Sequence, residues 1–325
     1  MDLFAEFISR AVMQGTPLLL GAVGEIITEK SGNLNLGIPG IMYVGAISGV
    51  IGAFFYENSS IYVPFLGVII ALLSCLIGAL LASLIYCFLT ITLRANQNVT
   101  GLALTTFGVG FGNFFGGSLI KVTKSTVPYI SLSDTGDAFA ATLPFAENLG
   151  WFGTLFFSYG FLVYLAIAIA ILASVFLNRT RTGLHLRAVG ENPATADAAG
   201  INVTKYKYFA TCAGGMIAGL GGLYFIMDYM GGIWSNNGFG DRGWLAIAIV
   251  IFAIWRPKLA IPASYLFGAL YILFNYMNMS MQMIPILQML PYVVTIAALI
   301  FTSVRKKREN QPPASLGLSY FREER

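Results

Sequence analysis

Apolar residues run in long stretches along this chain, and polar residues gather in short intervals between them. About nine stretches approach the ~20 residues that cross a bilayer as helix: 11–27, 38–55, 64–92, 99–120, 156–177, 208–227, 243–255, 259–275 and 285–304. The third is long enough to be strongly tilted, and 243–255 is short enough for a half-crossing or a broken helix. The pattern predicts an all-α, polytopic transmembrane helical bundle of about 9 crossings (roughly 8–10). Residues 1–304 form the membrane domain, and 305–325 form a basic tail.

Composition and charge sharpen that picture. Of 325 residues, 57% are apolar and 10% are Asp, Glu, Lys or Arg, against roughly 25% charged in a soluble domain. Such a chain cannot coat itself for water. Lys and Arg resist transfer to the outer face, so Arg305, Lys306, Lys307 and Arg308 place the C-terminus in the cytoplasm. Alternation puts 255–258, the loop 178–207, Arg94 and Lys30 on the same side. Of the 19 basic residues, Arg10, Lys121, Lys124 and Arg242 are left outside, together with the N-terminus. The first residues carry Asp2 and Glu6 rather than the basic start of a cleaved signal peptide, and Phe4, Phe7 and Ile8 suggest a short interfacial helix. Cys75, Cys87 and Cys212 fall inside apolar stretches, where a thiol acts as a small hydrophobe and no disulfide framework is implied.

Small residues let membrane helices approach closely. Gly45-x-x-x-Gly49, Gly108-x-x-x-Gly112-x-x-x-Gly116 and Gly215-x-x-x-Gly219 read first as close packing inside one bundle, and second as a substrate route or sliding surface. Pro39, Pro262 and Pro291 predict kinks or broken helices. The tail from Glu309, with Pro312 and Pro313, reads as mobile.

Enzyme chemistry finds little support. No G-x-x-x-x-G-K-[ST] phosphate loop occurs, the single histidine His185 lies in a basic loop, and no His/Cys/carboxylate cluster has metal-ligand spacing. No cofactor is expected in this chain, and no nucleic-acid partner.

Three groups of residues carry candidate transport chemistry. The segment 25–40, EIITEKSGNLNLGIPG, reads either as a cytoplasmic turn or as a broken helix near residues 30–40 lining a polar solute's route. In the second reading Asn33 and Asn35 supply donors and acceptors, as tolerated at membrane depth only inside protein or beside a water-filled cavity. Glu25, Asn113 and Asp228 lie in or near apolar stretches, where polar side chains are costly and usually face inward; for Glu25 and Asp228 the membrane boundary is the other reading. Trp234, Asn236, Asn237 and Phe239 combine aromatic faces with amides, types that suit a base or sugar. Interfacial anchoring explains the tryptophan equally well. Asn96 and Asn98 suit caps of the fourth stretch. Within 178–207, the interval 190–202 (GENPATADAAGIN) predicts a helix begun near Asn192, with Pro193 at its first position and a stop at Gly200. It is either a docking surface for another protein or a solvated loop whose Arg179, Arg181 and Arg187 enforce topology.

The pairing of EKSGNLNLGIPGIMYVGA (29–46) with RAVGENPATADAAGINVTKYKY (187–208) resembles the permease family of bacterial ABC importers for nucleosides and simple sugars, the branched-chain amino acid/ribose type. It is most similar to the shorter permease of nucleoside uptake systems. Residues 214–222 and 238–254 resemble that family too, so the likeness covers most of the membrane part and is specific at the two motifs. The resemblance implies a multi-pass permease subunit of the plasma (inner) membrane, embedded in lipid, that moves nucleosides inward. ATP and Mg would be held by a partner ATP-hydrolysing subunit. A second, homologous permease and an extracellular solute-binding lipoprotein would complete the machine, the lipoprotein delivering solute to outer loops that include 121–150. The segment 190–200 would be the coupling helix, with Gly190, Glu191, Asn192, Pro193, Ala196, Ala199 and Gly200 at the ATPase. In the first motif Gly32, Asn35, Gly37, Gly40 and Met42 match the family, whereas Pro39 stands where many relatives carry an acidic residue, so no carboxylate role carries over there. The rivals are a sugar importer of the same family and a stand-alone secondary transporter or channel. The latter needs ion-coupling carboxylates, for which Glu25 and Asp228 are the candidates.

Overall fold

The computed structural model describes residues 3–122, 127–142, 144, 150–277, 283–305 and 311–321. The first half contains helices α1 (Leu3–Glu29), α2 (Ile38–Glu57), α3 (Pro64–Cys87), α4 (Gln97–Val122), α5 (Ser133–Phe139), α6 (Gly150–Phe156) and α7 (Phe161–Arg179). The second contains α8 (Arg181–Glu191), α9 (Pro193–Ala198), α10 (Val203–Tyr224), α11 (Arg242–Phe252), α12 (Pro257–Ile272), α13 (Ile284–Gln288) and α14 (Leu290–Arg305). Among the described residues, seven helices are long and apolar enough to cross a membrane. They are α1, α2, α3 with its π-helical extension Phe88–Thr92, α4, α7, α10 with the π-helical turn Phe225–Tyr229, and α12.

The remaining two apolar stretches are shorter. At a rise of about 1.5 Å per residue, α11 reaches only about half of a ~30 Å hydrocarbon core, in keeping with the brevity of 243–255. The last stretch is divided, because Pro291 stands at the start of α14 directly after α13 has ended at Gln288. Pro39 produces no kink: it sits in the first turn of α2, where its missing N–H has no helical partner to lose. No separate interfacial helix precedes the first crossing. Residues from Leu3 onward are continuous with α1, with no Gly or Pro before Gly15 and an Arg10–Glu6 ion pair at 3.0 Å bridging the first turns.

The all-α expectation needs one addition. Strand β1 (Tyr129–Ser131) pairs antiparallel with β2 (Ile233–Ser235), Ile130 opposite Trp234. Three-residue strands are too short to print a period-2 pattern in the sequence.

Burial sorts the crossings into layers. Within the most apolar window of each helix, 89%, 78% and 72% of residues are buried in α1, α2 and α10, against 33–39% in α3, α4, α7 and α12. The first three therefore form the centre, and the others present apolar faces to lipid; Leu73, Ile77, Leu81 and Ile85 make such a stripe on α3. Central helices approach through glycine. A side chain at Gly214 of α10 would meet the Gly24 carbonyl of α1 at 2.3 Å, and one at Gly108 of α4 would meet Gly40 of α2 at 2.4 Å. Gly45 likewise faces Gly219, so the small-residue spacings serve close packing. Gly214→Val is expected to overpack the α1–α10 contact by about 1–3 kcal/mol or more, read as a lower melting temperature of the detergent-solubilised chain. An unchanged melting temperature would contradict this packing.

Two thiols, Cys87 of α3 and Cys212 of α10, lie 3.9 Å apart as free cysteines. The tail also departs from expectation. Its described residues, 311–321, are docked rather than mobile: Pro313 and Ser315 are buried and Leu316 packs against the main core. The contacts that hold it are non-local and leave no periodic trace in a Pro-rich polar segment.

Candidate substrate path and coupling segment

Between Glu29 and Ile38 the chain is neither helix nor strand, yet Ser31, Asn33 and Asn35 are fully buried. An exposed turn is excluded by that burial. Buried backbone groups need partners, and here three helices supply them while a fourth, α10, meets the Asn33 side chain. Leu34 N–H donates to Gln97 Oε1 of α4 at 2.7 Å, and Asn35 N–H donates to Glu25 Oε1 of α1 at 3.0 Å. The Tyr86 hydroxyl of α3 donates to the Leu34 carbonyl, and Thr105 Oγ1 of α4 donates to the Leu36 carbonyl at 2.8 Å. Asn33 Nδ2 donates to Thr211 Oγ1 of α10 at 3.0 Å, and Asn35 Oδ1 accepts from Gly37 N–H at 2.9 Å, closing a local turn. Asn33 Oδ1 and Asn35 Nδ2 remain buried with no hydrogen-bond partner among the described residues. Each such orphan costs about 1–3 kcal/mol unless something polar reaches it. Glu29, one turn beyond Glu25, accepts from Trp255 Nε1 and pins the α11–α12 turn against the end of α1.

A second cluster lies beyond Tyr43, which stands about 8 Å along α2 from Ile38 at helical rise. Trp234 and Phe239 are buried rather than placed at an interface, and both meet the Tyr43 ring edge-on at 6.2 Å and 5.4 Å. Gly116 leaves room for the indole, since a side chain there would lie 2.0 Å from Trp234 Nε1. Asn113 and Asn237 clasp each other, Asn113 Nδ2 donating to Asn237 Oδ1 at 2.8 Å and Asn237 N–H donating to Asn113 Oδ1 at 3.0 Å. Asn236 is exposed. Arg242 stacks over Phe225 at 4.2 Å and donates to the Phe239 carbonyl at 2.8 Å. The candidates thus fall into two groups, Glu25, Asn33 and Asn35 in one and Asn113, Trp234, Asn237 and Phe239 in the other. Asp228 belongs to neither: it is buried in the π-helical turn after α10, with Oδ2 against Gly160. Glu25 and Asp228 are both buried among protein side chains.

Sequence reasoning missed the residues that hold these clusters. Tyr86, Gln97, Thr105 and Thr211 come from three different helices, and nothing local marks them. Arg242 did carry a signal, a lone cation opening an apolar stretch, but it reads equally as a topology charge.

At the foot of the bundle α9 forms where expected. Asn192 Oδ1 caps it by accepting from Thr195 N–H at 3.0 Å, Pro193 is its first residue, and Gly200 follows its end with φ +82°. The coupling candidates divide by face. Ala196 is buried against Val189 and Val203, and Gly190 is buried with no room for a side chain, which would meet the Lys30 carbonyl at 2.2 Å. Glu191, Asn192, Ala199 and Gly200 are exposed with Ala194, Thr195 and Ala198, and Pro193 is half-buried. The preceding α8 was not anticipated, because its Arg181 and Arg187 read as topology charges and its His185 as part of a basic loop; its Leu186 and Val189 face inward. His185 is exposed, with Nδ1 3.0 Å from the Tyr206 hydroxyl, and Asn96 caps α4 through Val99 N–H at 3.1 Å.

Two cavities open at this end. One of 690 Å³ is bordered by Arg94, Gln97, Gly200, Asn202 and Tyr320; the other, of 850 Å³, is bordered by Lys30, Arg179, Arg187, Arg256 and Lys258. Burial holds the Lys30 ammonium below its ordinary pKa, and Arg187 and Arg256 add repulsion. A third cavity, of 970 Å³, borders Glu6, Arg10, Tyr229 and Tyr276.

Polar, irregular backbone between membrane helices is tolerated only inside protein or beside a water-filled cavity. Residues 7–302 match the family described as branched-chain amino acid transport system / permease component, and the chain belongs to this family. It is similar to the chain named for glucose ABC transport, permease protein TsgC13 of Haloferax volcanii, at 32% identity over 99% of each chain. It is also similar to the nucleoside ABC transporter permease protein NupC of Lactococcus lactis, 33% identical over 90% of each chain. The guanosine ABC transporter permease protein NupQ of Bacillus subtilis is 30% identical over 92% of each. The chain is therefore a permease component of ABC transporters, a multi-pass integral protein of the plasma membrane. That membership rules against a stand-alone secondary transporter or channel.

Proposed function

We propose that this chain is the permease subunit of an ABC importer that moves nucleosides into the cell, driven by ATP hydrolysis on a partner subunit. The carrying observation is the buried segment 30–37. It leaves Asn33 Oδ1 and Asn35 Nδ2 buried and unpartnered between the helices while its backbone abuts Gly190 at the foot of α8 and α9. A polar solute can meet those orphaned groups, and a push on α9 reaches them through the packing of Gly190 against Lys30 and Gly32. Exposed Ala194, Ala198 and Ala199 give α9 a smooth face to seat in a groove of the ATPase, which holds ATP and Mg. The segment ends bearing Lys30, Arg94, Arg179 and Lys258 face the cytoplasm, and those bearing Arg10 and Trp234 face outward. A second, homologous permease completes the path, and an extracellular solute-binding lipoprotein feeds it.

Nucleosides are favoured by the names of two relatives, and the aromatic and amide residue types around Trp234, Phe239, Asn113 and Asn237 suit a base once the Asn113–Asn237 clasp opens. A sugar is the second reading, because the glucose-named relative matches over 99% of both chains. Uptake of uridine, guanosine, adenine, ribose and glucose by the reconstituted complex separates the two. Accumulation of nucleosides alone is expected, and accumulation of ribose or glucose without nucleosides overturns the assignment.

A further inference from the structure

Residues 311–321 grip two parts of the molecule at once. On one side they hold the coupling region. Ser315 donates twice to the Gly190 carbonyl, from N–H at 3.1 Å and from Oγ at 2.6 Å, and the Tyr320 hydroxyl donates to Asp197 Oδ2 at 2.8 Å. Ala314 N–H reaches Glu191 Oε2 at 3.4 Å. On the other side they lie along the buried segment 30–37. A side chain on Gly32 would meet Ser315 Oγ at 2.5 Å, and one on Gly317 would meet Leu34 at 3.7 Å. Gln97, which receives Leu34 N–H, also donates to the Leu318 carbonyl at 3.5 Å.

We propose that 311–321 is a clasp that makes α9 and the segment 30–37 move as one body, with Ser315 and Tyr320 as its positioning residues. The inference rests on the coupling role given to α9 above. Without the clasp, α8 and α9 meet the segment where the Gly190 backbone packs against Lys30 and Gly32, a contact that can slide. With it, hydrogen bonds anchor the tail to both α8 and α9 while its other flank packs on Gly32, Leu34 and Gln97. Displacement of either side must then drag the other, which is the physical content of a coupling route.

The test is hydrogen–deuterium exchange on the full complex, with and without ATP plus vanadate, for the intact chain and for a chain ending at Asn310. In the intact chain both α9 and 30–37 are expected to change exchange rate on trapping. In the shortened chain α9 is expected to respond as before, while the response of 30–37 falls about tenfold, the effect of losing hydrogen bonds of ordinary strength. An equal response of 30–37 in both chains overturns the clasp. A silent α9 in the intact chain instead overturns the coupling role on which it rests. Should the shortened chain fail to assemble, the double variant Ser315→Ala/Tyr320→Phe is read the same way. A disulfide between Tyr320→Cys and Asp197→Cys gives a second decision. Undiminished nucleotide response of 30–37 in the cross-linked complex fits a clasp, and its loss means that the tail must leave during the cycle, which contradicts the proposal.

Discussion

Glutamates at Ala198 and Ala199 abolish ATP-driven uptake while the permease still folds and inserts. Both residues are exposed, Ala198 at the end of α9 and Ala199 just after it, so the bundle has no reason to notice them. In the assembled importer they would place charge in a groove shaped for methyl groups, and an uncompensated buried charge costs about 3–5 kcal/mol, at least roughly a hundredfold in affinity for the ATPase. Co-purification of the ATPase with the tagged variant measures this directly. Retained association with undiminished uptake would reject the coupling assignment. Ala196→Glu is a different experiment: that residue is packed against Val189 and Val203, so its replacement disrupts the α8–α9 fold itself. Motif matching alone would have treated Ala196 and Ala199 alike, and burial separates them.

The second large effect is expected at Asn35→Leu. The substitution removes the acceptor that closes the turn on Gly37 N–H and the unpartnered Nδ2 that faces the bundle interior. Uptake is predicted to fall about tenfold or more, the scale of one or two hydrogen bonds, with the ATPase still bound. Asn98→Leu, on the exposed first turn of α4, serves as the control and leaves uptake unchanged. Normal solute affinity and rate in Asn35→Leu would count against a substrate-path role for 30–37.

What could be read before the structure was what is written locally. Apolar stretches located the crossings, Asn192-Pro193 and Gly200 bounded α9, and glycine spacing marked the contacts of α2 with α10 and α4 with α2. These signals depend on neighbours within a turn or two of helix. What the sequence concealed is held together across long separations. Leu34 and Gln97 are 63 residues apart, and Asn33 and Thr211 are 178 apart. Ser315 reaches Gly190 across 125 residues. A glutamine or tyrosine that serves a distant backbone group looks like any other polar residue in an apolar stretch, and a proline-rich tail gives no sign of the carbonyl it will find. Trp234 shows how residue type alone leaves two readings open. Its type suits a membrane interface, yet pairing of β1 with β2 carries it into the aromatic cluster.

The central claim is that solute crosses this chain only when another chain hydrolyses ATP. Proteoliposomes containing the complete complex, with radiolabelled uridine and guanosine inside a fixed external pool and ATP supplied on the side of α9, test it most directly. The account predicts accumulation against a gradient that stops with a non-hydrolysable ATP analogue and survives dissipation of proton and sodium gradients. Accumulation by this chain alone, without ATPase and collapsed by an ionophore, would contradict it.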